Sequence, residues 1–469
     1  MSEASHKLPV AFQRHIEDYL GASESQELFK ALEQDPQTSI RINPSKRKLE
    51  SLPGQQVPWA KSGYFLESRP SFTLDPLFHA GAYYVQESSS MFISHILESI
   101  QAPKGIYLDL CAAPGGKSTL LSSYLGQDGL LVANEVIKSR ANILKENVIK
   151  WGLGNTVVTN NDPSHFEGLE GFFDLLVIDA PCSGEGMFRK DLQARDEWSP
   201  EHVEICAARQ ERILNDTGAL VAAGGYLLYS TCTFNAKENE ENLRYLSEEF
   251  AFEPVRIPVQ PEWGIVETEV EVEGSVFYGY RFYPHKVKGE GFFITVLKRP
   301  EDAYVHPVKK QKDFRHPFLS RSGQKNRVLE LLGLEDNFEF YELKGSIFLI
   351  DSWYAPHFEQ LTKYLNVKYF GVELGKISGS GKGGDRSNNE QFLPTHEFAL
   401  SILEKKGFST LELSKEQALS YLRKEDFDLP TSEEGWLLIT FQSLPLGWVK
   451  NMGNRINNYY PKDWRIRMR

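Results

Sequence analysis

The sequence predicts an α/β protein whose core is a doubly wound parallel sheet. Between residues 106 and 232, short apolar segments of strand length alternate with longer segments that have helical periodicity. Strands separated by helices favour parallel pairing, because each helix crosses over the sheet before the next strand begins. A glycine pair soon after the first of these strands favours a tight turn from that strand into a helix.

Composition places the chain among ordinary globular proteins. Its 469 residues are 41% hydrophobic and 25% charged, and this length corresponds to about three domains. No segment reaches the roughly 18 uninterrupted apolar residues of a membrane span, and the first residues lack the basic and apolar regions of a signal peptide. We therefore expect a cytoplasmic protein that does not bind membranes.

Cysteine spacing and charge narrow the possible partners. The four cysteines, Cys111, Cys182, Cys206 and Cys232, form no C-x-x-C pair, so we expect free thiols in a reducing compartment and no metal site. The formal net charge of −12 argues against polyanion binding by the whole surface. A nucleic-acid partner would need local basic strips.

The elements can be assigned in chain order. A helix is predicted before Gly21 from the spacing of Phe12, Ile16, Tyr19 and Leu20, and residues 82–100 are typical of a strand or turn that leads into a helix. Strands are predicted at 106–110, 130–135, 156–162, 174–180 and 225–232. Ser199 and Pro200 suit the start of a long helix, which Gly224 and Gly225 are expected to end.

Three C-terminal segments differ from the rest in composition. Residues 309–327 carry seven basic residues with aromatics and one acid, which fits either a backbone-binding strip or a solvated linker. Residues 375–390 are rich in glycine and serine and predict a flexible loop or boundary. Residues 450–469 combine six basic residues, three aromatics and one acid. We expect four units: 1–100, 101–300, 301–390 and 391–469.

The turn LDLCAAPGGKS is the first segment with a chemical function. Glycines at such a turn let backbone amides approach a ligand, and an acid about 20 positions later can bind ribose hydroxyls. Glu135, nineteen residues after Gly116, fits that position. The G-x-G-x-x-G pattern of NAD-binding proteins is absent, and a phosphate-binding P-loop would need glycine where this chain has Cys111.

Acidic residues also follow two later strands. Asp162 and Asp179 join Glu135 at the carboxyl ends of predicted parallel strands, where open α/β sheets bind ligands. A single carboxylate in this position is often only a helix cap. Three of them favour a shared ligand crevice.

Two cysteines are predicted at the same edge of the sheet. Cys182 follows the strand that ends in Asp179, and Cys232 follows the next strand. A thiolate can add to an electron-poor ring carbon such as C6 of cytosine, which makes C5 nucleophilic, and a carboxylic acid at N3 would assist. The alternative is that both thiols are buried small hydrophobic groups, which is the favoured interpretation for Cys206 on its helix face.

These motifs resemble a known family. LDLCAAPGGKS, DAPCSGEGMFRK, STCTF and RFYPHKVKGEGFF are similar to the ordered motifs of the Nop/Sun family of S-adenosylmethionine-dependent RNA cytosine-5 methyltransferases, over about residues 40–300. The resemblance implies a Rossmann-like core, Cys232 as nucleophile, Cys182 in product release, Asp179 at the cytosine and Lys190 supporting the catalytic pocket. It also implies a methyl-donor site at Cys111, Ala112, Ala113, Pro114, Gly115, Gly116, Lys117, Glu135, Arg140, Asp162 and Asp179.

Chain length and the extra C-terminal units resemble the bacterial RsmF branch of this family. That resemblance implies a cytosine near the decoding site of 16S rRNA as substrate, an N-terminal α+β domain, a C-terminal PUA-like RNA-binding domain, and a monomer without metal. A tRNA cytosine-5 methyltransferase and a non-catalytic ribosome assembly factor remain alternatives. An amino-group methyltransferase would favour D/N-P-P-Y/F where this chain has DAPC.

Overall fold

The computed structural model describes residues 6–46, 54–304, 319–323, 325–378, 391–428 and 431–468. Most of the predicted basic strip 309–327 and most of the glycine-rich segment 375–390 lie outside these ranges. No helix within the described ranges is both long enough and apolar enough to cross a membrane.

The N-terminal unit combines helices with a small antiparallel sheet of order β2-β3-β1-β4. Its elements are α1 (Val10–Leu20), α2 (Ala22–Leu32), β1 (Ser39–Ile42), β2 (Gln55–Val57), β3 (Ala60–Phe65), α3 (Pro76–His79), β4 (Tyr83–Val85) and α4 (Phe92–Ser99). The helix predicted before Gly21 is confirmed. Its buried residues Phe12 and Ile16 pack in one cluster with Phe188 and Trp198 of the central unit.

The central unit contains the predicted parallel sheet. Its elements are β5 (Ile106–Asp109), α5 (Gly116–Leu125), β6 (Leu130–Asn134), α6 (Lys138–Trp151), β7 (Thr156–Thr159), β8 (Phe173–Asp179), α7 (Leu192–Glu197), α8 (Pro200–Thr217), β9 (Val221–Thr231), α9 (Glu240–Phe250), β10 (Glu253–Pro254), β11 (Val266–Val272), β12 (Ser275–Phe282) and β13 (Phe292–Lys298). Strands β9-β8-β5-β6-β7 pair in parallel, and β13 and β12 extend the sheet in antiparallel pairing. The predicted α/β, Rossmann-like fold class is confirmed.

Strand order places a ligand crevice beside β5. The chain runs from β5 outward to β6 and β7, then returns to the other side of β5 for β8 and β9. At such a reversal the connections leave the sheet in opposite directions, and a crevice opens at the carboxyl ends of the strands. The glycine turn after β5 and the acids and cysteines after β6, β8 and β9 all lie at this edge.

The predicted end of the long helix was wrong. Ser199 caps α8 by accepting a hydrogen bond from His202 N, as expected, but the helix ends at Thr217. Gly224 and Gly225 lie inside β9, near a register shift in its pairing with β8. A Cβ at residue 225 would lie 2.9 Å from Asp174 O. The glycines therefore permit a bulge and close strand approach rather than ending a helix.

The C-terminal part forms two further sheets, of order β14-β15-β16-β18-β19 and β20-β21-β22-β23. Its elements are β14 (Leu319–Arg321), α10 (Lys325–Leu332), β15 (Phe338–Leu343), β16 (Ser346–Asp351), α11 (Ala355–Tyr364), β17 (Val367–Phe370), β18 (Val372–Ser378), β19 (Gln391–Pro394), α12 (His396–Leu400), β20 (Ser409–Glu412), α13 (Lys415–Arg423), β21 (Gly435–Phe441), β22 (Leu444–Asn451) and β23 (Ile456–Asn458). Strand β17 instead pairs with β7 at the edge of the central sheet.

Residues 375–378, at the start of the predicted glycine-rich loop, form the end of β18. Strand β19 pairs with β18, so the strands on both sides of that segment belong to one sheet. The unit boundaries at 100, 300 and 390 stay predictions.

Candidate active site

The turn between β5 and α5 is shaped by glycine and anchored to neighbouring elements. Gly115 has φ +115°, in the left-handed region that side chains disfavour, and α5 begins at the next residue. Ala112 N donates to Asn134 O at 2.8 Å, and Asn134 Nδ2 donates to Leu110 O at 3.1 Å. The turn is therefore held against the end of β6.

Asp109 ends β5 beneath this turn and is fully buried. Its Oδ2 accepts a hydrogen bond from Ser118 Oγ at 2.7 Å, whereas its Oδ1 has no hydrogen-bond partner among the described residues. Burial raises the pKa of Asp109 to about 7, opposed by the Ser118 hydrogen bond and by nearby Lys117. A buried carboxylate oxygen without a partner can accept a hydrogen bond or a cation from a ligand.

Glu135 follows β6 and is also buried. Its Oε1 accepts from Ile137 N at 2.9 Å, and its Oε2 lies 3.5 Å from Arg140 Nη1. Arg140 also donates through Nη2 to Ala113 O at 2.9 Å. The structure thus brings Glu135 and Arg140 to the glycine turn.

Asp162 and Asp179 have different surroundings. Asp162 Oδ1 accepts from Ser164 N at 3.1 Å as a helix cap, and its Oδ2 lies 3.3 Å from Arg212 Nη2. Burial would raise the pKa of Asp162, but the Ser164 hydrogen bonds and Arg212 lower it overall. Its role in donor binding therefore stays a prediction.

Asp179 forms an ion pair at the end of β8. Its Oδ2 lies 2.7 Å from Lys117 Nζ, and its Oδ1 accepts from Ser230 Oγ at 2.9 Å. Burial lowers the pKa of Lys117, but Asp179, Asp109 and Cys232 raise it above its ordinary value overall. Lys117 is therefore a fixed cation between the glycine turn and the cysteines.

The structure brings the two predicted catalytic cysteines together. Cys182 Sγ lies 3.1 Å from Cys232 Sγ, and Cys232 N donates to Cys182 Sγ at 3.3 Å. The hydrogen bond with Cys232, together with burial, raises the pKa of Cys182 well above its ordinary value. Cys182 is therefore held as a thiol beside the second sulfur.

The other two cysteines are placed differently. Cys206 is buried on α8, as expected for a packing residue. Cys111 lies in the glycine turn, where burial and nearby Asp179 and Asp109 raise its pKa. Neither environment favours a reactive thiolate.

Two buried carboxylates hold the cysteine loops. Glu185 accepts hydrogen bonds from Phe234 N and Trp198 Nε1, and Glu238 accepts from Ser183 N at 3.0 Å. Asn235 Nδ2 lies within hydrogen-bond distance of both carboxylates. The loop after β8 is thereby joined to the loop after β9.

Lys190 lies apart from the sulfur pair in its described contacts. Its Nζ is 3.8 Å from Glu290 Oε1, and the same carboxylate accepts two hydrogen bonds from Arg189 at 2.9 Å. Lys190 also lines a cavity against the N-terminal sheet. Its role in the catalytic pocket stays a prediction.

Sequence reasoning missed three of these carboxylates. Asp109 could have been found, because it ends a predicted strand as Asp162 and Asp179 do. Glu185 and Glu238 resemble ordinary surface acids in sequence. Only the packing of the two loops shows that they are buried.

The residues around the glycine turn fit S-adenosylmethionine. This cofactor carries an ammonium and a sulfonium cation together with ribose hydroxyls. Asp109 offers a buried carboxylate oxygen that has no hydrogen-bond partner in the described part of the chain, and Glu135 offers a second buried carboxylate at the same edge of the sheet. A cationic ligand would compensate these buried charges, which otherwise carry a desolvation cost.

Comparisons with known proteins agree with this geometry. The model of the 16S rRNA methyltransferase RsmB/F family matches residues 97–298. The models of the RsmF N-terminal domain and the RsmF PUA domain match residues 8–88 and 408–466. The three matches lie in chain order and span most of the sequence.

Individual relatives match along nearly the full length. The chain is 29% identical to a ribosomal RNA small subunit methyltransferase F from Erwinia tasmaniensis, covering 97% of this chain and 96% of the relative. A protein of the same name from Salmonella arizonae is 28% identical, with 99% and 98% covered.

A solved structure resembles the fold. A methyltransferase homologue from Pyrococcus horikoshii superimposes with a TM-score of 0.51 and 26% identity, covering 61% of this chain and 94% of that one. The core is that of a methyltransferase whose methyl donor is S-adenosylmethionine. On these matches, residues 97–298 belong to the RsmB/F family of 16S rRNA methyltransferases, and the segments before and after them match the N-terminal and PUA domains of RsmF.

Proposed function

We propose that this protein transfers a methyl group from S-adenosylmethionine to C5 of a cytosine in 16S rRNA near the decoding site, through a covalent cysteine adduct at C6. The observation that carries the proposal is the pair of sulfur atoms 3.1 Å apart, beside Asp179 and Lys117, at the edge that holds the glycine turn. The choice of substrate is supported by relatives named ribosomal RNA small subunit methyltransferase F.

The chain first has to position an unstacked cytosine. A base inside a helix does not expose C6 to a thiolate, so the nucleotide turns out of its stack before reaction. Asp179 and Lys117 present a carboxylate and an ammonium group side by side. A carboxylate accepts a hydrogen bond from the amino group of cytosine, and an ammonium group donates to ring nitrogen or carbonyl oxygen.

Cys232 then forms the covalent bond. Its thiolate adds to C6, the C5–C6 π electrons shift into the ring toward N3, and C5 becomes nucleophilic. Bound S-adenosylmethionine supplies an electrophilic methyl group for C5. A base or a water molecule then takes the C5 proton, and the electrons of that C–H bond restore the C5–C6 double bond and expel Cys232 as thiolate.

Cys182 is suited to the last step. Its raised pKa keeps it protonated next to Cys232. An S–H group in this position can donate a hydrogen bond to the departing Cys232 sulfur, or protonate it. We therefore assign release to Cys182 and addition to Cys232.

Replacement of each cysteine by alanine tests the assignment of addition to Cys232 and release to Cys182. Cys232→Ala should abolish both methylation and any protein–RNA bond, because no nucleophile remains. Cys182→Ala should form the adduct, transfer the methyl group and then accumulate as a covalent complex. Denaturing gel electrophoresis with 16S rRNA would show a slowly migrating band for Cys182→Ala alone.

Cys206→Ala is the matched control, since it removes a buried thiol outside the pair and should behave as wild type. A band for Cys232→Ala and none for Cys182→Ala would exchange the two roles. Continued formation of 5-methylcytosine by both variants, with no band in either, would exclude the covalent mechanism.

A further inference from the structure

A cavity of about 790 Å³ separates the N-terminal sheet from the loop that follows Cys182. Its walls are residues 35–39, residues 66–69 after β3, residues 85–87 at the end of β4, and Lys190. This volume lies within the range of pockets that bind small ligands, roughly 300–1,000 Å³.

The cavity adjoins both halves of the proposed reaction centre. On one side, a Cβ at Gly116, where α5 begins, would lie 3.6 Å from Gln86 Cδ. On the other side, Lys190 lines the cavity and belongs to the loop that also carries Cys182. The cavity therefore lies between the start of α5 and one of the two loops that carry the thiols.

The inner wall of the cavity is fixed by hydrogen bonds. Gln86 Oε1 accepts from Arg41 Nε at 2.7 Å, and Gln86 Nε2 donates to Ser90 Oγ at 3.1 Å. Ser39 Oγ donates to Gln86 O at 2.6 Å. The shape is thus set before a ligand arrives, which lowers the entropic cost of binding.

The charged lining favours a base over a phosphate. Three carboxylates line the cavity against two cations: Asp35, Glu67 and Glu87, with Arg69 and Lys190. A phosphate group would therefore meet excess negative charge. The amino groups of adenine, cytosine and guanine are donors that match carboxylate acceptors.

Two of these three carboxylates are available for such contacts. Glu87 already accepts hydrogen bonds from Ser89 N and Ser90 N at 2.9 Å, and so forms part of the fixed wall. Asp35 and Glu67 are exposed at the opening. They are the acids that an entering base can reach.

We propose that this cavity binds the unstacked base of an RNA nucleotide next to the target cytosine, through its amino group and the carboxylates of Asp35 and Glu67. Proteins that read RNA sequence commonly bind splayed-out bases in this way. The inference rests on the proposed function and adds to it a determinant of sequence context supplied by the N-terminal unit.

RNA stem-loops that contain the target cytosine test the inference with the full chain. Each flanking nucleotide is replaced in turn by the other three bases, and kcat/KM is measured. At one flanking position, the kcat/KM of the wild type should fall roughly tenfold when the preferred base is replaced by one without an amino group. In the double variant Asp35→Ala, Glu67→Ala, which removes both acceptors, this loss should shrink to less than about threefold, with unchanged S-adenosylmethionine affinity by calorimetry.

Asp18→Ala is the matched control, because Asp18 is exposed on α1 and lies outside the cavity lining. Wild-type discrimination in the double variant, or an equal loss of activity on every RNA, would overturn the cavity assignment. Methylation by Cys232→Ala would overturn the proposed function instead, so the two failures are distinguishable.

Discussion

At the residue scale, four carboxylates at the ends of parallel strands differ in what surrounds them. Asp179 is neutralised by Lys117, and Asp162 caps a helix and pairs with Arg212. The carboxylates of Asp109 and Glu135 are buried, and neighbouring groups compensate their charge more weakly. Asp109 Oδ1 has no hydrogen-bond partner among the described residues, and Glu135 Oε2 lies 3.5 Å from Arg140. A cationic or hydroxylated ligand would therefore stabilise these two carboxylates most.

Removal of Glu135 should weaken cofactor binding. A hydrogen bond to a charged group contributes about 1.5–3 kcal/mol, so Glu135→Ala should lose about this much S-adenosylmethionine binding free energy in calorimetry. Glu167→Ala, which removes an exposed acid from the same unit, serves as control. Equal affinities for Glu135→Ala and wild type would show that Glu135 does not contact the cofactor.

Asp109 should make cofactor affinity depend on pH. With a pKa of about 7, this carboxyl is half protonated at neutral pH, and a cationic ligand favours its ionised form. Affinity should therefore rise from pH 5.5 to 8, by up to about tenfold per unit below pH 7. Calorimetry on Asp109→Asn should show weaker binding with a flat profile. A flat profile for wild type would contradict this.

The same ionisation affects stability. Because the folded-state pKa of Asp109 lies above its unfolded value of 3.8, the folded state holds more protons between these two values. The free energy of unfolding should thus fall as the pH rises through this window.

At the element scale, the reaction centre depends on two loops that follow β8 and β9 and pack against each other. Gly186 N donates to Cys232 O at 2.7 Å. A Cβ at Gly186 would lie 2.6 Å from Cys232 O and 2.5 Å from Gly291 O. There is no room for a side chain at Gly186, because the backbones of the two loops that carry the thiols are already in contact.

Gly186→Ala should therefore reduce methylation strongly while S-adenosylmethionine affinity stays near wild type, because the cofactor turn lies after a different strand. Initial rates and calorimetry would measure the two effects. Gly184→Ala is the control in the same loop: a Cβ there would meet no atom of the described residues within 4 Å, although its φ of +77° is strained for alanine. That variant should lose about 1–2 kcal/mol of stability and keep its activity. Full activity of Gly186→Ala would show that the two loops can move apart without loss of methylation.

At the scale of the whole molecule, the N-terminal and C-terminal units share one hydrophobic cluster. Ile40 and Leu77 of the N-terminal unit pack in it with Leu413, Tyr421 and other C-terminal residues. Strand β17 also joins the edge of the central sheet. Truncation near residue 390 would uncover this cluster, so substitutions at the surface are the cleaner test of RNA binding.

The basic segment 450–469 should determine much of the salt dependence of RNA binding. Arg455, Arg465 and Arg467 are exposed, and each phosphate contact contributes roughly 0.7 to the slope of log K against log salt for single strands. Replacing all three by Gln should reduce the slope by about 2. Filter binding between about 50 and 200 mM salt, a range in which phosphate contacts change the affinity strongly, would measure this slope. Lys415→Gln on α13 is the control, and an unchanged slope in the triple variant would exclude this segment as a phosphate-binding surface.

The sequence by itself determined the core and the edge at which the chemistry lies. Apolar strands alternating with helices specify a parallel sheet, and parallel strands bring their carboxyl ends to one edge. Residues that follow strands, such as Glu135, Asp179, Cys182 and Cys232, could therefore be placed together before any contact was known.

Only the tertiary structure decided how those residues are held and what lies beside them. The ion pair of Asp179 with Lys117, the burial of Glu185 and Glu238, and the cavity against the N-terminal sheet each join segments that are distant in sequence. Periodicity and turn motifs report only on neighbours within a few residues. Burial and charge pairing depend on which surfaces meet after folding, and no local pattern records them.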